Sequence, residues 1–175
     1  GLVVIPTLVV AGLILLNAVF VAAEFAIVGS RRVTIERAAR EGNRLAGLVS
    51  RVLENARNQD RYIATAQLGI TSASLALGMY GEHLLAEWLG HQLEGLAVFE
   101  TVRWIGAHAV ASVTAVAFLT YLHVVLGEMV PKSLALQSPG KMAMTIAVPM
   151  RIMELVLYPL VLVLNGFGNG ILKLL

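Results

Sequence analysis

Three stretches of the chain read as apolar runs long enough to cross a bilayer, and the segments between them gather most of the charge. From Leu2 to Ser30 the only ionisable residue is Glu24. About 20 apolar residues cross the hydrocarbon core, so a span over about 2–30 is long enough even when tilted. Pro6 sits near its start, where a missing N–H matters least. The second run, 62–80, has no charge but carries Thr65, Gln67, Thr71, Ser72 and Ser74, with Gly69 and Gly78. A span flecked in this way faces protein or an aqueous cavity rather than lipid. The third run, 104–126, meets G-E-M-V-P-K at 127–132. The span is predicted to end there, because Pro131 pushes its predecessor toward extended backbone and frees helix carbonyls. The tail, 142–175, is again apolar, but Pro149, Arg151, Glu154 and Pro159 interrupt it. The tail is apolar enough for a fourth span, but that pattern favours bent juxtamembrane helices lying partly along the interface.

The intervening segments set the orientation. Residues 31–61 hold eight arginines and four acidic residues, with Leu45, Leu48, Val49, Val52 and Leu53 at helical spacing. They predict a partly amphipathic helical hairpin on the cytoplasmic surface, turned near Gly42–Asn43. Residues 81–103 carry Glu82, Glu87, Glu94 and Glu100 against one basic residue, Arg103, with Trp88 and Trp104 placed as interface anchors. Short re-entrant or surface helices fit this stretch. Basic residues favour the cytoplasmic side, which puts the N-terminus outside and everything from 127 onward inside.

Composition strengthens this reading and removes several alternatives. The chain is 58% hydrophobic and 14% charged, against roughly 25% charged in soluble domains. With no cysteine there is no disulfide scaffold, thiolate metal site or thiol catalysis. A formal charge of +2 is too small to argue for a nucleic-acid partner. No phosphate loop, nucleophile triad or nucleotide fingerprint is present, so an enzyme is not expected. The predicted class is an all-α integral membrane domain of the cell membrane: three transmembrane helices, short surface helices and a juxtamembrane helix.

Candidate chemistry centres on two acidic residues within or at the ends of these runs, Glu24 and Glu128. A carboxylate in hydrocarbon faces protein, water, an ion or a proton path. Glu128 reads either as a ligand for a hard cation such as magnesium or as a helix-end glutamate that snorkels or pairs with Lys132. Glu24 reads as a second ligand or as a partner of Arg31, Arg32 or a neighbouring helix. Ser72, Ser74 and Thr71 supply hydroxyl oxygens, which in spans also bond their own backbone or join helices. Gly69 and Gly127 expose carbonyls or allow close backbone approach. Asn17 reads as an interhelical hydrogen-bonding group. His108 and His123 are too far apart for a compact zinc site and read as packed or lipid-edge residues.

The blocks F-V-A-A-E-F-A-I-V at 20–28, E-G-N at 41–43, Q-L-G-I-T at 67–71, S-L-A-L-G at 74–78 with G-E at 81–82, and L-H-V-V-L-G-E-M-V-P-K-S-L-A-L at 122–136 occur in one order over most of the chain. Together they resemble the transmembrane domain of the CNNM/CorC family, also called DUF21. The G-E-x-x-P-K block is the most specific part of the match. The resemblance implies magnesium export across the plasma membrane, coupled to sodium entry, by a homodimer of three-helix protomers. It implies an inward-facing cavity for a largely dehydrated magnesium ion. The family glutamate falls on Glu128, and the small polar positions of the second span fall around Gly69 to Ser74, so Ser72 and Ser74 are implied as secondary ligands. Members usually continue into paired cystathionine-beta-synthase-type cytoplasmic modules, which the resemblance implies as partners. Two departures stand out. Val21 replaces a serine found in many members, and Ile70 and Ser74 replace asparagines. They motivate an alternative, a non-transporting membrane scaffold or magnesium sensor for those regulatory domains.

Overall fold

A computed structural model describes residues 4–81, 83, 84, 87 and 105–174. The first helix, α1, runs from Val4 to Gly29 and is followed by α2 (Arg32–Arg40), α3 (Arg44–Leu53) and α4 (Ala56–Ala76). A π-helical turn, π1 (Leu77–Gly81), extends α4. After the undescribed stretch come α5 (Ile105–Leu122), a second π turn, π2 (His123–Met129), α6 (Val130–Gln137), α7 (Pro139–Thr145) and α8 (Ala147–Leu174). There is no strand among the described residues. The expected outer segment with its two tryptophans falls almost wholly outside them.

The organising element is α1, against which α4, π2, α6 and α7 all pack. Small residues make this possible, since Ala22, Ala23 and Ala26 on α1 are buried and let neighbouring backbones approach. The pairs Asn17–Ser74 and Glu24–Gln67 fix α4 antiparallel to α1. Asn17 meets Gly127 and Phe25 meets Lys132, so the π2–α6 segment runs parallel to α1. The main core joins α1 to the hairpin and tail through Ile27, Ile35, Val49, Tyr62, Ile146 and Met150. A smaller apolar cluster, Ile14, Leu77 and Leu119, ties α1 to π1 and α5.

The hairpin turns at Gly42, whose φ of 93° lies in the left-handed region where a Cβ is strained. Asn43 caps α3, its side chain accepting from the backbone N–H groups of Leu45 and Ala46.

Among the described residues, three helical stretches are long and apolar enough to cross a membrane: Thr7–Gly29, Ser112–Gln137 and Ala147–Gly168. Large apolar side chains remain exposed along them, among them Leu15, Phe118, Leu155 and Phe167. Water does not tolerate such a surface, whereas hydrocarbon does.

This set differs from the sequence expectation in three places. The third span does not stop at 126 but continues through π2 and Pro131 as far as Gln137. The wider i→i+5 turn absorbs the proline, and Pro131 sits near the start of α6, where a missing N–H is tolerated. The tail is not broken by its prolines. Pro149 falls in the first turn of α8, and Pro159 removes one backbone bond from a 28-residue helix. By length and composition α8 is itself a candidate span. The expected 62–80 span is not among the three: the segment carries Thr65, Gln67, Thr71, Ser72 and Ser74, and its helix begins at Ala56 and includes Arg57, Asp60 and Arg61. It nonetheless packs antiparallel along the apolar α1.

Candidate functional site

Pro131 explains the local chemistry of π2. In an α-helix the carbonyl of Gly127 would accept from the N–H four residues on, and that residue is the proline. The carbonyl finds another donor. Asn17 Nδ2, fully buried on α1, donates to Gly127 O at 3.0 Å. The other end of the same amide accepts from Ser74 Oγ on α4 at 3.4 Å. One asparagine therefore joins three helices, as its mid-span position suggested.

Around this link lie the other polar groups. Ser74 Oγ is 3.3 Å from His123 Nε2, and the same nitrogen is 3.8 Å from Glu128 Oε1. His123 and Glu128 are five residues apart, a separation that the π turn brings together. The cluster passes from the buried Asn17 and Gly127 to a more open rim, since the His123 side chain is 16% exposed and that of Glu128 45%. Lys132 turns elsewhere, its ammonium lying 4.5 Å from the centroid of the Phe25 ring.

Of the six sequence-derived ligand candidates, the structure gathers Glu128, Ser74 and Gly127. Ser72 is exposed on α4, away from this network. Gly69 is buried because Phe20 lies against it; a Cβ there would enter the Phe20 ring. Its role is close packing of α1 on α4. Glu24 stands two helical turns along α1 from Asn17 and accepts from Gln67 Nε2 at 3.1 Å. Val21 is buried and Ile70 packs on the main core, so neither brings an oxygen to the network, whereas Ser74, the remaining departing position, does. His123, read from the sequence only as a packed or lipid-edge residue, is the group that joins the network without having been a site candidate. Its only signal was the spacing to Glu128 beside a Gly–Pro pair that disrupts regular helix.

Chemically, the network offers one carboxylate, one hydroxyl, one amide oxygen, one backbone carbonyl and one imidazole. The oxygens suit a hard divalent cation that retains several waters. No group of three or more histidine, cysteine, aspartate or glutamate side chains forms a metal cluster among the described residues. Any cation would therefore rely on uncharged oxygens and water around Glu128.

Long lipid-compatible helices around a polar interhelical junction define a multi-pass membrane domain. The chain belongs to the CNNM family: the family's cyclin M transmembrane N-terminal domain matches residues 8–175. It is similar to UPF0053 protein YhdT of Bacillus subtilis, 40% identical over 163 residues, which cover 93% of this chain and 34% of that protein. UPF0053 proteins YhdP and YugS of the same organism are each 35% identical, over 97% and 93% of this chain and 37% and 36% of their own lengths. The chain thus spans about a third of these relatives.

Proposed function

We propose that this domain carries a divalent cation, with magnesium as cargo, across the cell membrane. In this reading it exports magnesium in exchange for entering sodium, as a homodimer, and performs no chemical step of its own. The observation that carries the proposal is the junction of Asn17, Ser74, Gly127 and Glu128. It sets hard oxygen donors from three helices at one depth beside a single carboxylate. Glu128 supplies the charge, Ser74 Oγ and Asn17 Oδ1 supply neutral oxygens, and waters complete the shell. Ser72, Gly69 and Glu24 have no direct role here. The Arg-rich hairpin favours a cytoplasmic position, which puts the N-terminus outside.

The test is magnesium flux and binding in the purified protein reconstituted in liposomes. Glu128→Ala should abolish saturable flux and lower binding at least tenfold while helicity and dimer content stay unchanged. Unchanged flux in a folded E128A protein would defeat the proposal.

One observation favours a second reading. Ser74 and Asn17 already satisfy each other and Gly127, so their oxygens are engaged within the protein. A membrane scaffold or magnesium sensor acting on cytoplasmic regulatory domains would need only Glu128 exposed. It predicts magnesium binding without flux, and coupled flux from the domain counts against it.

A further inference from the structure

Away from the polar junction, a cavity of about 180 Å³ opens where α3, α4 and α8 meet. That is well above the ~10–15 Å³ that admits one water. The last turn of α1 and the first residue of α8 form part of its wall, so it sits at one end of two candidate spans. Its polar lining is Arg51, Asn58, Arg61, Tyr62, Arg151 and Glu154. Three arginines therefore share this lining with one acidic residue.

Glu154 does not neutralise this set. It is buried and lies 3.5 Å from Arg151 Nη1, which leaves Arg51 and Arg61 in excess. Arg51 forms no ion pair among the described residues, although its backbone carbonyl accepts from Asn58 Nδ2. Arg61 stacks its guanidinium 5.7 Å from the centroid of the Tyr158 ring, but its Nε is buried without a hydrogen-bond partner. A buried donor on a charged group is costly to leave unmade. A planar guanidinium with an open N–H is suited to a tetrahedral oxyanion, and arginines at the end of membrane spans are a common headgroup contact.

We propose that this cavity binds a phosphate group, with Arg61 Nε and the Arg51 and Arg151 guanidinium groups as donors and Asn58 and Tyr62 as neutral partners. The proposal is independent of the cation reading. The group can come from an anionic phospholipid or from a soluble phosphate, and the two sources separate experimentally.

Detergent-purified protein would be probed by native mass spectrometry with phosphatidylglycerol and phosphatidylcholine, and by thermal shift with inorganic phosphate. The wild type should retain phosphatidylglycerol in preference to phosphatidylcholine, and the double variant R51Q/R151Q should bind it at least tenfold more weakly. R151Q removes the partner of the buried Glu154, so Arg51→Gln alone, at an exposed side chain with no ion pair among the described residues, is the check that separates lost binding from lost fold: it should weaken phosphatidylglycerol binding while the protein stays folded. Stabilisation by inorganic phosphate, lost in the variant, would also support the site and identify a soluble source. Equal retention of the two lipids without a phosphate response, or binding unchanged in a folded R51Q/R151Q protein, would overturn it.

Discussion

Among the described residues, two π turns pack against α1 roughly one helical turn apart, and they do different things. At π1 the neighbours are Ile14 and Leu119, and the junction is apolar. At π2 the neighbour on α1 is Asn17, and the junction gathers a hydroxyl, an imidazole and a carboxylate. Each turn places a glycine at its tightest point, Gly81 against Leu119 and Gly127 against His123 and Asn17. Ile14 and Asn17 are three residues apart and so share a face of α1. The widened backbone is therefore common to both sites and does not make a polar site by itself. What distinguishes π2 is one amide on the neighbouring helix and a proline that leaves a carbonyl for it.

The largest effect should come from removing that amide. Asn17→Leu converts the π2 junction toward the apolar character of π1 but leaves Gly127 O buried without its donor. Interhelical hydrogen bonds in membranes average only about 0.6 kcal/mol, whereas an unsatisfied buried acceptor adds roughly 1–3 kcal/mol. The expected loss is roughly 2–3 kcal/mol, read as a clear drop in thermal midpoint in detergent. Ile14→Ala at the other turn is a cavity change and should leave magnesium binding intact. If N17L were as stable as wild type and bound magnesium normally, the distinction between the turns would fail.

Much of this contrast was visible in the sequence, and its missing parts have physical causes. Asn17 stood out as a polar group in an apolar run, and Pro131 announced a freed carbonyl. Glu128 was the natural anionic candidate. His123 was not placed, because residues five apart diverge by about 140° on a regular α-helix, and only the π turn reunites them. Glu24 and Gly69 drew attention by type, yet their partners, Gln67 and Phe20, depend on the register between α1 and α4. Prolines misled in the same way in the third span and in the tail. Pro131 and Pro159 were read as breaks, but each lies within a continuing helical path.

An intermediate effect is expected when each glycine becomes alanine. At Gly127 a new Cβ would lie 2.9 Å from His123 Cδ2 and 3.2 Å from Asn17 Nδ2, both in side chains held by hydrogen bonds. At Gly81 it would lie 2.6 Å from Leu119 Cδ2, the tip of a flexible side chain that can rotate away. Overpacking costs about 1–3 kcal/mol where the surroundings cannot yield, and replacing a helical glycine returns up to about 1 kcal/mol. G81A should therefore be close to neutral, and G127A should be less stable by about 1–2 kcal/mol and bind magnesium more weakly. Thermal melts and calorimetry on the pair decide it, and equal behaviour would mean that the two turns are equally compliant.

The smallest effect lies outside both turns and serves to calibrate them against acid. Glu36 on α2 accepts from Arg32 Nε at 2.6 Å, with Arg40 also near. The hydrogen bond from Arg32 is the main cause that holds its pKa below the ordinary 4.5; desolvation, next in size, opposes it, and the charges of Arg32 and Arg40 add to the lowering. The sign follows directly. A carboxylate whose folded pKa is depressed contributes stability above its unfolded value, and that contribution disappears as pH falls through the folded one. The pair is solvent-exposed, so salt should weaken it further. Amide exchange in α2 of wild type and Glu36→Gln should differ slightly at neutral pH and converge in acid, while exchange at π2 is the same in both proteins. A response at π2 would mean that the hairpin and the polar junction are coupled.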